Sequence, residues 1–557
     1  MESICPRRNH FLVVLVAVLL LWCPEESHAV PPDKPNIIVV LADDLGYGDV
    51  HCFDPDHAKI STPNIDRLAE QGERFTDAHA GTSVCTPSRY AVLTGRFCWR
   101  SRLQVHVVGH YGTPVIAPDR LTLPKMLQQQ GYVTACIGKW HLGWDWPLRR
   151  KDGSIARAPA DKYVHTRESE GEPIFEMPIE QGPITRGFGY YFGVDVPNFP
   201  PFTFIENDRM AINPTDRIMI GTGKPGELVP APIAPGWKYE NILPKIVEKT
   251  EGYLAERAKD KKPFFLYMTL TSPHEPVAPS AEFKGKSGIS PVADFIMQTD
   301  AALGRVMTAL DKHGLAENTL LIFTSDNGHA AYTGLAPLYK VGHRVNGPYR
   351  GYKCNISDGG QRVPLVVRWP GVTPAGSVNS QLICLSDLMR TCADLLQVKL
   401  PDNSAEDSVS ILPLLRGQDR PVREDLVLQP ISSSYLAIRQ GPWKLALCAG
   451  DAVWGGVCTE KGVPHDLGED EARKLGLPPI QLYNMADDPG ETMNLQAVHP
   501  EIVRKLHARL QKYVSEGRST PGAPQANDMS VPMPPLPPLP KEGNPSGGVP
   551  WPIQWPK

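Results

Sequence analysis

Four stretches of this chain share one pattern: a short apolar run that stops abruptly at a polar cluster. Residues 36–41 lead into Ala42-Asp43-Asp44, and residues 132–137 into Gly138-Lys139-Trp140-His141. Residues 264–270 lead into Ser272-Pro273-His274, and residues 320–323 into Ser325-Asp326-Asn327-Gly328. Continuous apolar runs, as opposed to alternating ones, belong to strands covered on both faces, as in mainly parallel sheets. Helical stretches lie between them: 62–69, 123–127 followed by Gly131, and 294–313 ended by Gly314. This alternation predicts an α/β sandwich, a mixed and mainly parallel sheet with helices on both faces. Ligands of such sheets bind beyond the carboxyl ends of the strands. All four polar clusters fall there, so residues from Asp43 to Asn327 are expected to converge.

The pattern weakens over 145–260, which is rich in Pro and Gly and reads as a loop-rich insertion in a main domain at 30–420. After Pro370-Gly371 it changes again. Residues 435–448 and 481–485 read as strands and 500–514 as a helix, so a smaller α+β domain is expected at 421–518. From residue 521 onward 12 of the 37 residues are proline, which makes 519–557 an extended Pro-rich tail. The chain holds 57 prolines in 557 residues, about twice average usage, which disfavours a helical bundle. Its 57 Lys+Arg against 61 Asp+Glu lack the basic excess of a dedicated nucleic-acid binder, so no nucleic-acid partner is expected. A hydrophobic content of 41% excludes both a disordered chain and a multi-span membrane protein.

At the N-terminus Arg7 and Arg8 precede an apolar run from Phe11 to Trp22, and Ser27-His28-Ala29 supplies small residues at a cleavage point. This is the layout of a signal peptide over 1–29. The run is shorter than the ~20 residues that span a bilayer, so no membrane span is expected. A lipid anchor on Cys23 is the alternative, against which the bulky Trp22 stands. Export to the periplasm or the extracellular space follows. The single sequon, Asn355-Ile-Ser357, favours a bacterial envelope over a glycosylating pathway. Export permits disulfides among the eleven cysteines; cleavage leaves nine, and Cys448 and Cys458 are close enough to pair.

The segment from Thr82 to Arg96 carries the most specific chemistry. Thr86 reads as an N-cap and Pro87 as the first residue of a short helix that stops at Gly95. Cys85 then sits just before a helix N-terminus, where free N–H groups favour an anion, and Arg89 adds a permanent positive charge one turn on. Asp43, Asp44, Asp326 and Asn327 form a hard, all-oxygen donor set that suits Ca²⁺ or Mg²⁺, not zinc. His141 and His274 are of the type that moves protons near neutral pH.

Read in full, Cys85-Thr86-Pro87-Ser88-Arg89-x-x-x-Leu93-Thr94-Gly95-Arg96 resembles the signature of the type I, formylglycine-dependent sulfatases, the family of arylsulfatase A and N-acetylgalactosamine-6-sulfatase. The resemblance covers roughly 34–515. It includes an intact Gly-Lys-Trp-His-Leu-Gly block at 138–143, the Ser-Pro-His segment at His274, the lysine after Arg350-Gly351 at Lys353, and a C-terminal signature at Leu482-Tyr483-Asn484, Asp488-Pro489 and Asn494-Leu495. It implies an alkaline-phosphatase-like fold. It implies that a separate formylglycine-generating enzyme oxidises Cys85 to Cα-formylglycine (3-oxoalanine), which would reduce nine mature cysteines to an even eight. Asp43, Asp44, Asp326, Asn327 and the modified Cys85 would bind the metal, Ca²⁺ in preference to Mg²⁺. Arg89, Lys139, His141, His274 and Lys353 would complete the catalytic set. Two departures stand out: Tyr352 where a small residue is common, and Ser357-Asp358-Gly359-Gly360 in place of Tyr-Glu-Gly-Gly, expected beside the site and bearing on substrate fit.

Sulfate-ester cleavage needs a nucleophile, neutralisation of the sulfonyl oxygens and a proton for the leaving alcohol. A thiol would be trapped as its S-sulfonate. A hydrated aldehyde keeps a second hydroxyl with which to expel sulfate. Lys139, Lys353, Arg89 and the cation would neutralise charge, His141 would hold and deprotonate the hydrate, and His274 would protonate the leaving oxygen. The expected function is a sulfatase acting on a sulfated carbohydrate or aryl sulfate. Three rivals remain: a phosphatase or phosphodiesterase of the alkaline phosphatase superfamily, which would carry Ser or Thr as nucleophile; a non-catalytic sulfated-glycan binder, which would not need a complete site; and a structural envelope protein. Specificity is expected from 145–260 and from the surroundings of His106, His110 and His343.

Overall fold

A computed structural model of the chain describes residues 1–2, 34–159, 163–221, 227–452 and 460–555. The apolar run at 11–22, Cys23, the cleavage point and Cys458 lie outside the described residues. Among the described residues no helix is long and apolar enough to cross a membrane.

The central sheet has ten strands: β1 (Asn36–Asp43), β2 (Glu73–Phe75), β3 (Val133–Lys139), β4 (Tyr190–Val194), β5 (Ile205–Glu206), β6 (Arg209–Met210), β7 (Phe264–Pro273), β8 (Thr319–Ser325), β9 (Leu365–Arg368) and β10 (Ser377–Asn379). Their order is β6-β5-β4-β3-β7-β1-β8-β9-β2-β10. The five strands from β4 to β8 in that order are all parallel, and the β8–β9 and β9–β2 pairs are antiparallel. The four apolar runs are thus four adjacent strands, with their polar ends side by side.

Helices α1 (Pro63–Gln71), α2 (Cys85–Thr94), α3 (Leu123–Gln129), α4 (Ile242–Arg257), α5 (Pro291–Lys312) and α6 (Asp387–Leu395) cover the sheet. Along β1, Ile37, Val39 and Leu41 pack with Val92 and Leu93 of α2 and Met126 of α3, while Ile38 and Val40 pack with Leu68 of α1, Ile246 of α4 and Leu303 of α5. Both faces are buried, which is why the strand reads as an unbroken apolar run. Helix α5 starts earlier than its periodicity indicated. The Ser290 hydroxyl accepts the Ala293 N–H and Pro291 occupies the first turn, a start signal upstream of the apolar stripe. Residues 145–260 carry more scaffold than expected. They contain β4 and the four-turn α4, whose buried Ile242, Ile246, Val247, Thr250 and Leu254 lie along one face.

Toward the C-terminus, β11 (Asp425–Leu428), β12 (Ala437–Gln440), β13 (Trp443–Ala446) and β14 (Gln481–Asn484) form an antiparallel sheet. Helix α7 (Pro500–Ser515) packs on it through Val503, Leu506 and Leu510. The single strand read at 435–448 is two, because Gly441, with φ of 55°, turns the chain back. The tail does not extend away from the molecule. Asp528 pairs with Arg96 at 3.0 Å, Val549–Pro550 pairs with Met493–Asn494, Trp551 stacks 3.7 Å over the Arg350 guanidinium, and Trp555 lies 5.0 Å from the Tyr352 ring.

Candidate active site

The ends of β1 and β8 bring the acidic residues together. Asp43 closes β1, Asp44 follows it in the left-handed region at φ 67°, and Asp326 and Asn327 follow β8. All four are buried. The Asn327 amide donates to Asp44 Oδ1 at 2.8 Å, and the Asp44 backbone N–H donates to Asp326 Oδ1 at 3.2 Å. Asn327 Oδ1 is buried without a hydrogen-bond partner. A buried acceptor with no donor is costly unless a cation takes that position. Three carboxylates and this free amide oxygen are a donor set that fits Ca²⁺ or Mg²⁺. Despite burial, Lys139 holds Asp43 well below the usual carboxylate range, whereas burial and the Asp43 charge push Asp326 up.

Cations interleave with these anions. Lys139, the last residue of β3, donates to both Asp43 oxygens at 3.0 and 2.8 Å. Arg89 lies on α2 and reaches Asp326 Oδ2 at 2.7 Å and the Lys139 carbonyl at 2.9 Å. Lys353 pairs with Asp44 at 2.8 Å, and despite burial that carboxylate holds its ammonium well above the usual range. The three cations balance the three carboxylates.

Cys85 is the first residue of α2, not the residue before it. Val84 is the N-cap, and Pro87 stands at the third helical position. The Thr86 hydroxyl is not a cap; it donates to the His141 carbonyl at 2.8 Å and accepts the Val108 N–H at 3.2 Å, tying two loops to the helix. Every residue of α2 is buried, and Gly95 ends it at φ 64° as expected. Burial pushes the Cys85 thiol up, and nearby Lys139 and Lys353 only partly offset this. At neutral pH it is therefore a thiol, a poor nucleophile as it stands.

Both histidines are buried and carry specific hydrogen bonds. His141, at φ 54°, donates from Nε2 to the Val108 carbonyl at 3.0 Å, which leaves Nδ1 without a partner and free to accept. Burial and Lys139 push it well below its usual range. His274 donates from Nδ1 to the Glu275 carbonyl at 2.6 Å, and its Nε2 lies 3.8 Å from Asp44. Burial, reinforced by Lys139, lowers it to about 4. Asp43, Asp44 and His274 offer ligand atoms within 4.8 Å of one another. The residues picked from sequence for catalysis and metal binding thus gather at one end of the parallel strands.

Four further residues belong to this neighbourhood. Asp195 accepts the His141 backbone N–H at 3.2 Å and the Trp144 indole N–H at 3.1 Å, and burial pushes it up to about 6. It ends the apolar run of β4, so the same strand-then-polar pattern would have found it. Phe199 lies edge-on to His141, ring centres 5.8 Å apart. Asn198 donates to Glu275 at 2.9 Å. Tyr332 exposes half of its surface, yet its hydroxyl accepts from Lys353 at 2.9 Å and donates to Asp44 at 3.4 Å.

Other expectations are corrected. His343 is fully buried and bound to Asp49 at 2.9 Å, in company with His329, so it supports the fold and does not face substrate. His106 lies beside His165, with ring centres 5.9 Å apart. His110 lines a large cavity. Asp358 is buried between Arg362 and Lys444, both in ion-pair contact. Tyr352 donates its hydroxyl to the Pro464 carbonyl at 2.9 Å, where a small residue could not reach. The Asn355 sequon is buried and offers no acceptor for a glycan in the folded chain. All eight described cysteines are free thiols.

A family model described as Sulfatase matches residues 35–398. The N-acetylgalactosamine-6-O-sulfatase of Bacteroides thetaiotaomicron is 34% identical over 86% of this chain and 93% of its own length. Human arylsulfatase A is 31% identical over 85% of this chain and 86% of its own. A solved Bacteroides thetaiotaomicron structure, described in the context of metabolism of multiple glycosaminoglycans, superposes with a TM-score of 0.71 at 32% identity, covering 86% of this chain and 99% of that one. The chain belongs to the sulfatase family and is a sulfuric ester hydrolase.

Proposed function

We propose that the protein removes sulfate from a sulfated carbohydrate, using Cys85 after its oxidation to Cα-formylglycine and a bound divalent cation, Ca²⁺ in preference to Mg²⁺. The observation that carries this reading is Cys85 buried at the head of α2, together with a buried four-residue oxygen donor set whose Asn327 Oδ1 has no partner. The oxidised residue would supply a hydrated aldehyde as nucleophile, and the cation would supply charge neutralisation and acidify the attacking hydroxyl.

The chain's own groups do the rest. With three carboxylates matched by three cations, a dication leaves two positive charges to meet an incoming sulfate. Arg89 and Lys139 hold Asp326 and Asp43 in place. His141, neutral and hydrogen-bonded through Nε2, presents Nδ1 as a proton acceptor next to Cys85's helix. His274 is neutral in the absence of substrate. The negative charge of a bound sulfate favours its protonated form, from which it can protonate the leaving oxygen. Asp195 holds the His141 loop. The carbohydrate reading is supported by the relatives that carry sugar names and by the cavity described below. Maturation would require a formylglycine-generating enzyme. We place the enzyme outside the cytoplasm, in the envelope or medium of a bacterium, on the N-terminal pattern of Arg7, Arg8 and the apolar run to Trp22.

The test is the mass of the Cys85 peptide from protein co-expressed with the maturation enzyme. The expected result is conversion of the thiol to the aldehyde or its hydrate, in parallel with activity on sulfate esters. Fully active protein whose Cys85 peptide keeps the thiol mass would overturn the reading.

A further inference from the structure

A cavity of about 1250 Å³ opens on the β3–β4 side of the site. Its inner end is marked by His110 and Phe199, whose rings are 4.6 Å apart, and Phe199 in turn abuts His141. Its walls are Phe199, Tyr111, Phe175 and a run of prolines from the 145–260 insertion. Among the described residues that line it, the acidic side chains Glu168, Glu172 and Glu176 outnumber the one guanidinium, Arg217, and His110 is engaged by Glu168 at 2.6 Å. The catalytic end carries the cations and the outer cavity carries carboxylates.

From this polarity, and resting on the sulfatase reading of the Cys85 site, we infer that the group bearing the sulfate is a ring compound with no second acidic group. The ester sulfate meets the lysines and the cation site. The remainder of the molecule lies against aromatic and proline faces, which suit the apolar face of a sugar or an aryl ring. A second sulfate or a uronate carboxylate placed in the cavity would meet the three glutamates. Like charges across a binding surface are a device for excluding the wrong ligand, and their effect shrinks as salt screens it. The natural substrate is then a mono-sulfated neutral unit, released by reactions that have already separated it from acidic neighbours.

The experiment compares kcat/KM for a hexosamine 6-sulfate with that for the same unit joined to a uronic acid and for the same unit carrying a second sulfate. The neutral-unit substrate is expected to be favoured by about tenfold or more at low salt, with the ratio falling toward unity in 0.5 M NaCl. In the triple variant Glu168→Gln, Glu172→Gln, Glu176→Gln the ratio should fall about fivefold. Equal or better turnover of the doubly acidic substrates overturns the inference, and so does a ratio that neither salt nor the variant changes. Those outcomes leave the sulfatase reading standing. Protein with converted Cys85 that cleaves no sulfate ester overturns both.

Discussion

Asp195 receives two donors, from His141 and from Trp144, and so fixes the loop that carries the proposed proton acceptor. It acts through His141 and not on the substrate. Asp195→Ala should therefore lower kcat by about tenfold or more with KM little changed, and Asp195→Asn, which keeps an acceptor oxygen, should restore much of the loss. A pH profile of kcat separates this role from simple destabilisation: Asp195→Ala should shift the acidic limb assigned to His141, and an unchanged profile with reduced protein stability would refute a positioning role. Asp326 makes the complementary case. Its carboxylate is shared between Arg89 and the donor set, so the near-isosteric Asp326→Asn should leave a folded protein whose bound divalent ion and activity both fall by about 10²-fold or more. Elemental analysis and turnover measured on one preparation check this together. At this scale most of the site was legible, because Asp43, Lys139, His274 and Asp326 each end an apolar run. Asp195 was not, because the prolines and glycines around it masked the five-residue β4. Tyr332 escaped as well, for it lies on a loop whose path no local pattern encodes.

Among the elements, β12 and β13 are tied to the main sheet by buried charge. Lys444 on β13 pairs at 2.8 Å with both Asp358 and Glu491, and Arg439 on β12 and Arg362 both reach Asp77, at 2.9 and 2.8 Å. Despite burial, Lys444 holds Asp358 well below the usual carboxylate range, and Arg362 does the same for Asp77. Folded-state values below those of the unfolded chain mean that the unfolded state binds more protons as pH falls. The stabilisation is thus complete above pH ~4–5 and is lost as pH drops below ~4. Lys444→Met removes the ion-pair partner of buried Glu491 and one of the cations on Asp358, and should cost about 3 kcal/mol at pH 7. Chemical denaturation at pH 7 and at pH 3 tests this: the variant's deficit should shrink at the lower pH, where those carboxyls take up protons. The two sheets were each foreseeable from strand patterns. Their joint was not, since the Asp358 segment looked like part of the substrate site and its partner Lys444 is 86 residues away. Helix α4 shows the opposite failure: its apolar stripe was present in the sequence but lay in a region judged by its prolines.

For the molecule as a whole, the tail changes what the C-terminus is for. Trp551 on Arg350 and Trp555 on Tyr352 pack on the segment that leads into Lys353, from residues almost two hundred positions later. A desolvated cation–π contact contributes about 2 kcal/mol. Trp551→Ala should therefore lower the melting temperature and reduce kcat, with Trp551→Phe intermediate in both; thermal melts and steady-state kinetics on the three proteins decide it. A truncation that melts and turns over like the full chain would show the tail to be dispensable. Composition gave an extended Pro-rich tail but not its docking, because proline fixes local backbone shape without saying what that backbone will lie against.

Cys85 has 2% of its surface exposed and sits on a helix with no exposed residue. No second enzyme can reach it in the finished fold. Any oxidation of this side chain must be completed while the chain is still open, during or just after synthesis and before α2 is covered. Trp551 and Trp555, which pack on Arg350 and Tyr352, leave the ribosome long after α2. On the proposed chemistry the order of events follows: modification of Cys85 first, closure of the core next, and docking of Trp551 and Trp555 afterwards. On that proposal, a chain that folds ahead of its modification would stay inactive until it is unfolded again.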